Sequence, residues 1–482
     1  MLAFWAVTLG LLVFAAAGKA EQKLVTIDAP STVIEPSTQF FAGPVSSTMG
    51  PHPGKLKANV LLPDGYTPKK RYPLLLLFHG AGERYDSWAD AELGDIKNTA
   101  KNLNAVIVMP EGAHSFYTNW FSDTTKKEAQ WETYIRDELL PLVESKFSIR
   151  PERRYHAVAG FSMGGYGTYL TGSQLNGYFG TVVPMSAFAS IRTPETALAF
   201  QIASGGTPYE DIYGPSTGYY AEGHDPIEWG PNFRYSNMDI YTGNGQPDTV
   251  KRPENGTPED ALSLVLESFL KAQNDSVVAA IKAEGSKTVD YTVHKGSHHF
   301  EFWRPDLKAA ISRGLFRPVT EQPAYWQYVT SADEGQAWDI RFSFEGTRTK
   351  ATEFTRDGNM LRATGDGKVN LSDGNGCEYT QTVPFSLKLA ASPCRKLKAK
   401  TKGQLKAGKK RTITVTVTGE DHFDGIGPVD AATVRLGTKK ATTTHAGKAK
   451  ITLKAKSRAR KVKLTVTKAG HRPFTKKLKV RK

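Results

Sequence analysis

The segment Gly160-Phe161-Ser162-Met163-Gly164 constrains the fold more than any other stretch of this chain. It follows a mostly apolar run, Tyr155 to Ala159, and opens into a helix-compatible stretch, Gly165 to Leu170. Strand, sharp turn with a serine at its tip, then helix is the setting of a nucleophile elbow, in which small glycines let the backbone turn tightly. Such an elbow needs a sheet to stand on. Residues 55–315 supply one, because strand-like and helix-like segments alternate there. Strands are predicted at Leu56–Leu62, Tyr72–Phe78, Ala105–Met109, Tyr155–Ala159, Thr181–Met185, Met238–Tyr241 and Val289–Val293. Helices are predicted at Gln130–Lys146, Pro258–Gln273 and Phe300–Arg313. Several strands are almost wholly apolar, as strands buried on both faces of a parallel sheet must be. The expected fold class is therefore α/β, a doubly wound sheet.

The flanking regions differ in character. Leu2 to Ala17 is an apolar run followed by Gly18-Lys19-Ala20, which reads as a secretory signal peptide over residues 1–20. The run is shorter than the ~20 residues of a membrane span. After an α/β region over 21–318, residues 319–394 carry the period-two stretch Trp338 to Phe344 and the turn signals Asp357-Gly358, Asp366-Gly367 and Asp373-Gly374. They read as a small β domain. The chain has two cysteines, Cys377 and Cys394. In an exported protein they are expected to pair as a disulfide. Residues 395–482 are rich in Lys and Thr and alternate again, as in Thr412 to Val417 and Lys461 to Val466, so an immunoglobulin-like β-sandwich is expected. The expected architecture is thus an α/β-hydrolase sheet followed by two small all-β domains.

Charge is divided unevenly. Residues 395–482 hold 27 Lys+Arg and 4 Asp+Glu, a net of +23, whereas the rest of the chain carries −8. This asymmetry predicts an anionic partner for the basic end, a cell-wall polymer or a headgroup surface. Export makes nucleic acid an unexpected partner.

A serine hydroxyl is a weak nucleophile unless a base stands beside it, and the base needs an orienting carboxylate. In hydrolases with an elbow the chain order is serine, acid, histidine. The histidine is expected in Gly296-Ser297-His298-His299, after the last predicted strand. His298 is the candidate base, with His299 structural or substrate-facing. The oxyanion donors are expected to be the backbone N–H groups of Met163, after the nucleophile, and of Ala81, in the turn His79-Gly80-Ala81-Gly82. Two residues compete for the acid. Asp248 follows the strand Met238–Tyr241 through Gly243-Asn244-Gly245-Gln246-Pro247. Glu267 sits in the apolar helix Leu264 to Leu270, where an unpaired charge would be costly. Residue chemistry leaves the two even.

The α/β region resembles the esterase D group, and within it the secreted mycolyltransferases of actinobacteria. The resemblance rests on Ser115 to Trp120 with Gln130 to Thr133, on the elbow, on Gly243 to Pro247, on Leu266-Glu267-Ser268-Phe269 with Asn274, and on Gly296-Ser297-His298 through Phe302-Trp303. It covers about residues 50–315. It implies Ser162 as nucleophile, Glu267 as acid and His298 as base, with no metal or organic cofactor. One departure stands out. His79-Gly80 occupies the place where those mycolyltransferases carry an acidic, sugar-facing residue. The expected activity is therefore that of a secreted, wall-associated serine esterase acting on an acyl lipid or a polymer-linked ester. Transfer of a long acyl chain to a sugar hydroxyl is the alternative. An inactive wall-binding protein on a hydrolase scaffold is the alternative of another class.

Overall fold

The computed structural model describes residues 21–34, 56–123, 129–204, 206–248, 261–286, 288–420, 426–468 and 470–482. The expected signal peptide lies outside them. Eight strands form one sheet: β1 Lys23–Asp28, β2 Lys57–Leu62, β3 Leu74–Phe78, β4 Val106–Pro110, β5 His156–Phe161, β6 Thr181–Met185, β7 Asn237–Gly243 and β8 Val289–His294. Their order is β1-β2-β4-β3-β5-β6-β7-β8. β1 and β2 run antiparallel and the six from β4 to β8 are parallel. This is an α/β-hydrolase sheet, in the fold class expected from the alternation of elements.

β3 and β4 are apolar throughout because the sheet is covered twice. Leu74, Leu76 and Phe78 of β3 enter the core on one face, while Leu75 and Leu77 enter the core on the other. β4 divides likewise, Val106 and Val108 to one side and Ile107 and Met109 to the other. Each such side chain, fully buried, contributes about 2 kcal/mol by leaving water.

Two differences from the expected elements are informative. The stretch Gln130–Lys146 is helical, but Tyr134–Leu139 is wound as a π-helix between α-helical Trp131–Thr133 and Leu140–Lys146. The predicted helix ending at Gln273 runs on to Ala283, and its described part begins at Ala261. The helix Phe300–Arg313 has the predicted bounds.

Strands from Tyr325 to Lys388 form two four-stranded antiparallel sheets around a core that includes Trp326, Tyr328, Phe342 and Phe354. Cys377 and Cys394 are disulfide-bonded there. This layer is seated on the α/β region by buried polar contacts. Asn232 donates to Val329 O at 3.0 Å and accepts from Val329 N at 2.7 Å. Gln174 Oε1 accepts from Tyr328 and Thr330. The Arg153 guanidinium bonds Asn176 O and Thr320 O and lies 4.8 Å from the Trp338 ring. His224 lies 2.8 Å from Ser331 Oγ. Strands from Arg395 to Arg481 make two five-stranded sheets that share a core of Val415, Val417, Val434, Leu464 and Val466.

Candidate active site

The elbow has the backbone that its sequence demands. Ser162 closes β5 and caps the helix Met163–Gln174 with φ 55° and ψ −120°. A non-glycine residue in that region costs about 1–3 kcal/mol and persists only where its surroundings fix it. Here Ser162 N donates to Met185 O at 3.0 Å and Tyr166 N to Ser162 O at 3.0 Å. A Cβ on Gly164 would stand 2.4 Å from His79 O, so only glycine lets the helix approach the turn after β3. That closeness sets the start of the helix, which carries Met163, against the turn that carries Ala81. Neither N–H donates a hydrogen bond among the described residues.

The turn after β3 is held from behind. The His79 ring is buried, with Nδ1 2.8 Å from Gly80 O and Nε2 2.9 Å from Gly112 N. Tyr117 OH donates to His79 O, and His79 N donates to Tyr117 OH. Because Gly80 C=O and Ala81 N–H belong to one planar peptide unit, fixing the carbonyl also aims the N–H. Glu111 lies 3.4 Å from His79 Nε2. Its burial disfavours ionisation, but His79 and the Ala113 and Tyr85 amides outweigh that and hold its pKa below the ordinary value.

The candidate base and one of the two candidate acids meet at the same edge of the sheet. His298 lies in the loop between β8 and the helix Phe300–Arg313, and its Nδ1 is 2.8 Å from Glu267 Oε2. Its backbone N–H donates to Ser263 Oγ, one turn before Glu267 on the same helix. Trp303 joins this loop to the elbow: its ring stacks on Phe161 with centroids 3.9 Å apart and meets the His298 ring edge-on at 4.9 Å. Asp248, the competing acid, lies in the loop after β7, and among the described residues it is Glu267 that bonds the His298 ring. His299 stands beside, its ring half exposed and 3.8 Å from Glu301.

Glu267 is fully buried, and its other oxygen is crowded with donors. Oε1 accepts from Ser186 Oγ at 2.6 Å, from Gly243 N at 2.6 Å and from Thr242 Oγ1 at 3.2 Å. A Cβ on Gly243 would stand 2.7 Å from Glu267 Cγ, which is why that strand ends in glycine. Burial opposes ionisation, but the bonds from His298, Ser186 and Gly243 prevail and hold the pKa of Glu267 below its ordinary value. The carboxylate therefore stays ionised at neutral pH.

Ser186 was not legible as a site residue. A lone serine after the apolar strand β6 has no motif around it. Its φ of 42° and its bonds to Glu267 and, from Trp303 Nε1, at 3.0 Å make it the clasp between acid and histidine loop. Ser186→Ala is expected to lower kcat about tenfold with KM little changed, because one charge-assisted bond to the buried carboxylate is lost. Steady-state kinetics on a soluble ester would check this, and an unchanged kcat would remove Ser186 from the positioning set.

A family model described as "Putative esterase" matches residues 47–313, more than half of the chain. An esterase of Mycobacterium tuberculosis is 38% identical over 151 residues, 30% of this chain and 32% of that protein. The chain thus spans about a third of the length of that relative. An acetyl esterase of Caldicellulosiruptor saccharolyticus is 25% identical over 237 residues, 49% of this chain and 81% of that protein. Among solved structures, Mycobacterium tuberculosis MPT51 aligns with a TM-score of 0.45 at 20% identity, covering 57% of this chain and 98% of the other.

Proposed function

The chain belongs to this esterase family, and from that membership we propose that it is a serine carboxylesterase working through an acyl-enzyme on Ser162. The observation that carries the reading is the 2.8 Å contact between His298 Nδ1 and the buried, donor-saturated Glu267. An ionised Glu267 keeps the His298 proton on Nδ1 and leaves Nε2 to take the proton of Ser162. The hydroxyl oxygen attacks the ester carbonyl. The negative charge that develops on the carbonyl oxygen is met by the Ala81 and Met163 N–H groups. His298 then protonates the leaving alcohol. Water enters, loses a proton to His298 and cleaves the acyl-enzyme by the reverse path.

Hydrolysis is favoured over transfer to a sugar by His79. Where the resembling mycolyltransferases carry an acidic residue toward the sugar, this chain has a buried imidazole whose two nitrogens face Gly80 and Gly112. Acyl fate tests this. An isotopically labelled acyl ester incubated with a large excess of trehalose or glucose should give free acid as its main labelled product. Predominant sugar ester would replace the esterase by an acyltransferase. We further infer that the protein is exported through residues 1–20, and that residues 395–482 attach it to an anionic wall polymer.

A further inference from the structure

The basic sandwich carries a particular surface, not only a net charge. In one sheet the strand Lys410–Glu420 lies between Arg395–Lys402 and Lys448–Lys454. The inward positions Ile413, Val415 and Val417 enter the core, so Thr414, Thr416 and Thr418 face out. The register sets Lys400 opposite Thr416 and Thr416 opposite Lys448. One row along, Lys402 is opposite Thr414 and Thr414 opposite Lys450, and Lys398 is opposite Thr418. The lysines are exposed and the threonines between them half-buried. Two raised rows of ammonium groups therefore flank a floor of hydroxyls. A cavity of about 770 Å³ opens beside one lysine row and the threonine floor, lined by Lys398, Lys400, Thr416 and Thr418 with Ile426, Phe474 and Lys476.

We propose that this trough binds one extended polyol-phosphate chain, a phosphodiester-linked wall polymer, with successive phosphates on successive lysines. The inference rests on the wall-attachment reading given above. Lysines two residues apart on a strand repeat at ~6.8 Å, and rows on either side of one strand stand ~9.5 Å apart. A glycerol phosphate unit has as many backbone bonds as two extended peptide residues, so its phosphates repeat at nearly the lysine spacing. The trough is wide enough for one such chain. Lysine suits this ligand, because its compact charge needs no fixed geometry, whereas guanidinium selects planar forks. A single nucleic-acid strand has a similar phosphate repeat but binds through aromatic platforms for its bases. The three rows are lysines and threonines, and the cavity beside them has Phe474 as its one described aromatic, too few to stack successive bases. The opposite sheet is basic in another way. Its lysines face one another across adjacent strands, Lys461 with Lys479 and Lys463 with Lys477, and leave no floor between.

The test compares two full-length variants of equal net charge. One carries Lys398→Gln, Lys400→Gln, Lys448→Gln and Lys450→Gln. The other carries Lys461→Gln, Lys463→Gln, Lys477→Gln and Lys479→Gln. Binding to immobilised poly(glycerol phosphate) is measured at rising salt, with single-stranded DNA as competitor and circular dichroism to verify folding. The trough variant should bind more than about tenfold more weakly and with a shallower salt dependence, and the opposite-sheet variant within about threefold of wild type. Equal losses in both would leave wall attachment standing and overturn the trough. Tighter binding of wild type to DNA would overturn the polyol-phosphate assignment. Absence of wild-type binding would overturn the attachment reading itself.

Discussion

Ser162→Ala is expected to lower kcat for 4-nitrophenyl acetate by about 10⁴–10⁶-fold, since removal of a nucleophile costs nearly as much as removal of the whole catalytic set. The effect should fall on kcat rather than KM, because the hydroxyl is used after binding. The fold should be unharmed. Ser162 is held by its backbone, through Met185 O and Tyr166 N, and its side chain makes no capping bond to the helix that it begins. Retention of wild-type turnover by a pure alanine variant would end the covalent mechanism.

The second large effect is expected at Glu267. Glu267→Gln conserves shape and should still cost about 10³–10⁴-fold in kcat. The reason is local. Ser186, Gly243 and Thr242 all donate to Oε1. The amide oxygen of glutamine must take that place, which turns its NH₂ toward His298. The imidazole then accepts at Nδ1, carries its proton on Nε2 and has no lone pair for Ser162. Asp248→Asn should stay within about twofold of wild type. The reverse outcome would move the acid to the loop after β7. A pH signature accompanies the change. The Glu267 pKa is depressed in the folded state, so its ionisation stabilises the protein above the unfolded carboxylate pKa. That contribution is lost as pH falls through the lower, folded value. Denaturant unfolding of the glutamine variant should show a weaker loss of stability on acidification.

The sequence made the sheet readable where the strands are apolar on both sides, as at Leu74–Phe78, because a short run of five large apolar residues before a glycine turn suits a strand covered on both faces. The helix Phe300–Arg313 was equally plain. β1 was not. Its six residues are partly exposed and pair at the sheet edge with β2 alone, so period two was the only sign. The π-helical turn at Tyr134–Leu139 left no mark, since it preserves an apolar stripe that a regular helix would also show. In the site, serine and histidine announced themselves through glycine-rich turns. The candidate acid did not, because Glu267 and Asp248 differ in what surrounds them in space, and the partners of Glu267 come from the end of β7, Thr242 and Gly243, and from Ser186 just after β6.

The seating of the four-stranded sheets on the α/β region bears on how the chain unfolds. Arg153, Gln174, His224 and Asn232 are satisfied by partners from Thr320 to Ser331. Separation of the two layers would strand these polar groups at a fresh surface. The junction is thus not a hinge between independent bodies but a shared interior, and calorimetry is expected to show both layers melting in a single transition. A catalytic fragment cut at residue 318 would lack half of that interior, and its shorter life in solution would reflect missing partners rather than a missing active site.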